Sequence, residues 1–260
     1  MIAQNTTQLA EELGFDFNGA LERVRNVAHK TPLALNQNLS RRYNCNVYLK
    51  REDLQVIRSY KLRGAYNMMS RLPQEQLSRG VVCASAGNHA QGFAYSCKKL
   101  HAKGVIFMPV ITSKQKITQT RMWGDDAVEI RLVGDNFDDC AVAAKAFTEE
   151  NGMTFVPPFD DLRIIEGQST VGLEILQDLQ QIDMIFLPVG GGGLSAGVGL
   201  AFKTFSPQTR VIGIEPEGAP SMLEAFRQGH PVTLEHIDRF VDGAAVKRVV
   251  NLPIQFAVKY

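Results

Sequence analysis

The sequence predicts an α/β fold built on parallel sheets. Three observations predict it. Short Val/Ile-rich runs recur along the 260 residues, helix-period segments fall between them, and Gly, Pro or Asp bounds most runs. Such runs suit parallel strands buried on both faces. In order, the expected strands are Val47–Lys50, Val81–Ala84, Gly104–Met108, Ala127–Leu132, Thr154–Val156, Met184–Val189 and Arg210–Glu215. The expected helices are Lys61–Leu72, Asn88–Leu100, Asn136–Asn151, Gly167–Leu179 and Ser195–Thr204. Breaks at Leu72-Pro73 and Pro157-Pro158 divide the chain into a small α/β unit, 73–158, and a discontinuous large unit, 1–72 plus 159–260.

Composition narrows the class. Hydrophobic residues at 45% and charged residues at 21% fit a globular protein. Lys+Arg number 28 against 27 Asp+Glu, and no basic run stands out, so no nucleic-acid or membrane partner is expected. Cys45, Cys83, Cys97 and Cys140 form no Cys-x-x-Cys pair, and Met1 to Thr6 lacks a basic-then-apolar leader, so a reducing cytoplasm is expected. Met184 to Phe202 carries no charge and has the length of a membrane span. Pro188, four consecutive glycines, Gly197 and Gly199 instead favour a strand, a loop and a small-residue helix.

Three segments carry chemistry. Lys61 follows Ser59, an expected N-cap, and Tyr60, and shares a helical stripe with Ala65, Met68 and Leu72. A surface lysine on an amphipathic helix is the plain reading. An apolar stripe would lower the amine's pKa, as imine formation and proton abstraction both require. Ser85-Ala86-Gly87-Asn88-His89 leads from an expected strand into an expected helix. It reads either as an ordinary capped turn or as a seat for a carboxylate, with Asn88 able to donate to a phenolic oxygen. Gly190-Gly191-Gly192-Gly193-Leu194 joins a strand to a helix, a context for phosphate binding. The same stretch meets a relaxed dinucleotide pattern, Gly191-x-Gly193-x-x-Ala196 with Glu215 beyond, so a nicotinamide oxidoreductase is a rival reading. A lysine, an Asn-containing turn and a glycine-rich anion cradle, in this order, are the parts needed to hold pyridoxal 5'-phosphate.

Other chemistries lack their residues. No Gly-Lys-Ser/Thr follows the glycines, no Gly-x-Ser-x-Gly elbow occurs, and no His-x-x-x-His pair suggests a metal. Glu52-Asp53, followed by Arg58, reads as a solvated turn.

Together with Thr31-Pro32-Leu33, Tyr48 to Asp53, Val156-Pro157-Pro158-Phe159-Asp160, Gly167-Gln168-Ser169-Thr170 and Asp242-Gly243-Ala244-Ala245-Val246-Lys247, these segments resemble the fold-type II pyridoxal-phosphate enzymes. More narrowly, they resemble threonine dehydratases (threonine ammonia-lyases) of the biosynthetic type. The resemblance implies two three-layer α/β/α domains, as in tryptophan synthase β. It implies Lys61 as the Schiff-base lysine, Tyr60 where the family usually has Phe, and Asn88 on the cofactor's phenolic oxygen. Gly190, Gly191, Gly192, Gly193 and Leu194 would cradle the phosphate, Ser85, Ala86, Gly87, Asn88 and His89 would clasp the substrate carboxylate, and Gly243 would lie against the ring. The implied reaction is L-threonine to 2-oxobutanoate and ammonia, in isoleucine biosynthesis, with the Lys61 amine removing the α-proton.

Ala86 stands where related serine racemases have a second serine, which implies elimination over racemisation. Ser221 stands where relatives with a divalent-cation site have an acid, so no metal is expected. No Ser-Gly-Gly-Asn segment is found between Gly243 and Tyr260, and a C-terminal regulatory domain is not expected in this chain. A C-terminally truncated enzyme is therefore expected, homo-oligomeric when full length. The alternatives are a catabolic serine/threonine dehydratase and an inactive cofactor-binding remnant.

Overall fold

A computed structural model describes residues 10, 13–251 and 253–254. The leader reading of Met1 to Thr6 and most of the final segment lie outside the described residues. The elements in order are α1 (Phe17–Arg25), β1 (Leu33–Leu35), α2 (Gln37–Tyr43), β2 (Tyr48–Lys50), α3 (Lys61–Ser70), α4 (Gln74–Arg79), β3 (Val81–Ala84) and α5 (Asn88–Leu100). They continue with β4 (Gly104–Met108), α6 (Lys114–Gly124), β5 (Val128–Leu132), α7 (Phe137–Glu150), β6 (Thr154–Phe155), α8 (Leu162–Asp178), β7 (Met184–Pro188), α9 (Gly193–Phe205), β8 (Arg210–Ile214) and α10 (Ser221–Gln228).

The expected α/β class holds. Strands β5-β4-β3-β6 form one wholly parallel sheet, and β7 pairs β8 in parallel. Alternation along β3 and β4 sends side chains to both faces of the first sheet. Val81, Cys83, Ile106 and Met108 pack with Ala90, Phe93, Ala94 and Cys97 of α5 and with Met68 and Met69 of α3. Val82, Ala84, Val105 and Phe107 pack with Cys140 and Ala144 of α7.

The second sheet departs from burial on both faces. Leu187 packs with Val171 and Ile175 of α8 and with Val198 and Phe202 of α9, whereas Met184, Phe186 and Ile214 are exposed. Strand β2 matches the expected Val47–Lys50, but β1 and its antiparallel pairing with β2 (Leu33↔Lys50) were not expected, nor were α1, α2, α4, α6 and α10. Helix α8 begins five residues before the expected Gly167, because Asp161 caps it by accepting from the Arg163 N–H at 2.8 Å. No helix among the described residues is long and apolar enough to cross a membrane.

Candidate active site

Helix α8 is the post against which the candidate segments are set. A methyl group on its Gly167 would lie 2.7 Å from the Gly64 Cα of α3, and one on Gly197 of α9 would lie 2.8 Å from the Ser169 N of α8. Backbones this close need glycine on both contacts, and they fix the starts of α3 and α9 relative to each other. Helix α5 joins in the same way, since a methyl on Gly92 would sit 3.0 Å from the Lys61 carbonyl carbon.

Lys61 opens α3. Ala65, Met68 and Leu72 of its expected stripe are all buried. Ser59 is not the N-cap. Tyr60 occupies that position in helical conformation, and the Ser59 hydroxyl accepts only a 3.3 Å bond from the Lys61 N–H. Burial lowers the Lys61 amine to a pKa of about 8 and pushes the Tyr60 phenol up to about 12. The amine lies 5.7 Å from the Tyr60 ring centroid and donates to the Pro158 carbonyl oxygen at 3.0 Å. A neutral carbonyl does not hold an amine in its charged form as a carboxylate would.

Ser85 to His89 leaves the carboxyl end of β3, with the Ser85 N–H bonded to Phe107 O. No side chain caps α5, whose N-cap is Gly87, so the capped-turn reading is not what the chain adopts. Asn88 is exposed at the first helical position, while His89 is buried. The His89 Nε2–H donates to the Val156 carbonyl oxygen at 3.0 Å. Burial first, then the nearby Lys61 charge, hold His89 down to a pKa of about 3, so it stays a neutral donor.

The glycine loop leaves the carboxyl end of β7. Gly192, at φ +86°, is the N-cap of α9, again without a side-chain cap. Two uncapped helix starts therefore lie at the carboxyl ends of parallel strands, where ligands of open α/β sheets bind. A methyl on Gly190 would meet Ala244 Cα at 3.0 Å, which sets the Asp242–Val246 turn beside the loop, with Gly243 exposed at its tip.

Residues 156–159 tie these pieces together, and the sequence reading gave them no role beyond the resemblance. Val156 receives His89, Pro158 receives Lys61, and the Phe159 ring lies on Gly191. The proline pair reads as a boundary, and a backbone carbonyl carries no sequence mark. The one available signal was that residues flanking proline are held extended.

Two further readings need correction. Glu52 is not on a solvated turn. It accepts from Arg63 at 2.9 and 2.8 Å, and Arg63 also donates to Glu174, which in turn holds Lys50. Only Asp53, paired with exposed Arg51, fits the surface reading. Glu215, the acid of the dinucleotide alternative, accepts from the Met222 and Leu223 N–H groups at 2.7 and 2.8 Å. Its oxygens are taken up as the cap of α10, which removes the ribose-binding acid from that alternative. Among the described residues no cluster of three or more His, Cys, Asp or Glu is placed to hold a metal.

The donor set fits pyridoxal phosphate: a desolvated lysine without a described carboxylate partner, and two uncapped helix starts for anionic groups. Residues 24–260 match the family described as "Pyridoxal-phosphate dependent enzyme". The chain is 53% identical over 241 residues to the biosynthetic L-threonine dehydratase IlvA of Halalkalibacterium halodurans, covering 92% of this chain and 58% of that protein. The chain thus spans a little over half the length of that curated relative. Among solved structures, it is similar to the processed form of threonine deaminase isoform 2 from Solanum lycopersicum (TM-score 0.90, 44% identity, 96% of this chain and 68% of that one). It is also similar to maize serine racemase (TM-score 0.88, 29% identity, 93% of this chain and 72% of that one). The chain belongs to the pyridoxal-phosphate dependent enzyme family, in its fold-type II branch.

Proposed function

We propose that this chain carries the catalytic residues of an L-threonine dehydratase that forms 2-oxobutanoate and ammonia, the step that leads toward isoleucine. One observation carries the reading. The Lys61 amine, lowered to a pKa of about 8, rests on a neutral carbonyl in a fold shared with threonine dehydratases. Pyridoxal phosphate supplies an aldehyde carbon and an electron-accepting ring.

The chain's own residues do the rest. Lys61 would hold the cofactor through its amine, and as a free amine it would take the α-proton of the substrate. Gly190, Gly191, Gly192, Gly193 and Leu194 offer N–H groups to the phosphate at the start of α9. Ser85 to His89 hold the substrate carboxylate at the start of α5, and the Asn88 amide donates to the ring oxygen. Tyr60 and Gly243 would help to hold the cofactor, Gly243 against its ring. His89, neutral and bound to Val156, holds its loop in place and exchanges no proton. Ala86 itself carries no hydroxyl that could return a proton to the substrate, which favours elimination of water over racemisation. The released enamine then hydrolyses to the keto acid.

The division into 73–158 and 1–72 plus 159–260 belongs to the same proposal, supported by a first sheet drawn wholly from residues 81–155. So do a cytoplasmic location and a homo-oligomeric state.

The test is direct. Purified protein with saturating pyridoxal phosphate is given L-threonine or L-serine, and keto acid is measured. Production from threonine at the higher kcat/KM supports the reading. A serine preference favours the catabolic alternative, though one methyl group separates the two substrates by only ~1–3 kcal/mol. Bound cofactor with no keto acid from either overturns the dehydratase reading.

A further inference from the structure

We propose that Phe159 is a positioning residue that shapes the glycine loop, and that Gly191 is glycine because this ring needs its place. The inference rests on the assignment of the loop as the phosphate cradle. A methyl on Gly191 would overlap the Phe159 ring, with Cγ 2.5 Å away and Cδ1 and Cε1 closer still. A methyl on Gly193 would fall 2.9 Å from Phe159 Cβ and 3.2 Å from its Cα. The neighbours of the other two loop glycines are different. Gly190 faces Ala244 and Val246, and Gly192 faces Met222 and Pro253.

The ring thus presses on one loop residue, and the Phe159 backbone passes over the residue that opens α9. An aromatic side chain is rigid enough to act as a wall for a loop with no side chains of its own. Pro158, one residue earlier, takes the Lys61 amine on its carbonyl. The short stretch Pro158-Phe159 therefore sets the spacing between the lysine and the cradle, two points that must fit one cofactor at once. A shift at Phe159 would reach both.

The experiment is a rescue pattern read by pyridoxal phosphate titration, followed by absorbance, with the melting temperature of the cofactor-free protein as second readout. Overpacking predicts that Gly191→Ala raises the cofactor Kd by about tenfold or more. Phe159→Ala alone should raise it only severalfold. The double variant Gly191→Ala/Phe159→Ala should return to the level of Phe159→Ala, because the clash is with ring atoms that alanine lacks. Gly193→Ala should not be rescued, since its neighbours Cβ and Cα survive the truncation.

If Gly191→Ala does not fold, recovery of a cooperative melt in the double variant supports the proposal, and no recovery overturns it. Equal weakening of cofactor binding by Gly191→Ala with and without the ring also overturns it, while the cradle assignment stands. If none of the glycine variants alters cofactor affinity, the cradle assignment falls and the role of Phe159 falls with it.

Discussion

Lys61 and Arg63 stand two residues apart on α3, and the difference that matters most between them is the partner each one meets. Arg63 is fully buried and held by two carboxylates, Glu52 and Glu174, with Thr170 and the His29 carbonyl completing its donors. Burial works against its charge, but the hydrogen bonds and charges of Glu52 and then Glu174 outweigh it and hold the guanidinium above its ordinary pKa. Lys61, partly buried, has the neutral Pro158 carbonyl and the Tyr60 ring in place of carboxylates, and desolvation lowers its pKa. One helix turn therefore carries a fixed charge that serves the fold and a titratable amine to which we assign the chemistry. The partner decides which is which.

The comparison is broken most forcefully at Lys61. Lys61→Ala should lower keto-acid formation on the order of a thousandfold or more, and borohydride treatment with pyridoxal phosphate should no longer add mass at this position. Undiminished turnover would end the assignment. The same residue should act in the opposite sense on stability. Its folded pKa of about 8 lies below the ordinary 10.5 of lysine, so the unfolded chain binds the extra proton between these values. Below pH 8 the full penalty of a buried charge is present. Stability from this group then rises with pH up to about 10.5. Lys61→Met should accordingly melt higher than the unaltered cofactor-free protein at pH 7, with the gain shrinking as pH is raised toward 10.5. A gain that does not change with pH would contradict the assigned cause.

Arg63→Met should do the reverse. It leaves Glu52 in the interior without its cation and Glu174 with Lys50 alone, a loss of about 3–5 kcal/mol of unfolding free energy in a denaturant titration. Cofactor affinity per folded molecule should change far less than for the Lys61 variants. The third effect is smaller and contrasts two adjacent carboxylates. Glu52→Gln weakens charge-assisted bonds to Arg63, a loss of roughly 1.5–3 kcal/mol, whereas Asp53→Asn, on an exposed pair, should leave the melt unchanged. Equal effects of the two would remove the distinction between a buried network and a surface pair.

What was legible in the sequence divides along the same line. Strands β3 and β4 and helix α5 begin and end where local pattern places them, because turn residues bound each of them. Lys61 and the glycine loop could be proposed from sequence because the chemistry assigned to them is written in side chains, or in the absence of side chains, at fixed order. Glu52 was misread because its role depends on Arg63, and through it on Glu174, which lies 111 residues further on. The hub at Val156 and Pro158 was invisible for a different reason: its acting atoms are backbone oxygens, which every residue has. The exposed face of β7–β8 was not foreseen because a continuous apolar run looks the same whether one face or two are covered.

The smallest effect lies just before the lysine. Arg58 has φ +62°, a left-handed conformation uncommon outside glycine, three residues ahead of Lys61. Its N–H bonds the Gln55 carbonyl at 2.9 Å, so the turn is held by the backbone and does not need the exposed arginine side chain. Arg58→Gly relieves the steric conflict of Cβ, and the added flexibility of the unfolded chain offsets part of the gain. The expected net is a stabilisation of roughly 0.5–1 kcal/mol, about 1–4 °C in melting temperature. Activity measured alongside separates two meanings of the strain. If the melt rises and kcat/KM holds, the turn only delivers the chain to α3. If kcat/KM falls with the Lys61 pH profile displaced, the strained turn is part of what sets the amine on Pro158, and the contrast between Lys61 and Arg63 begins before the helix does.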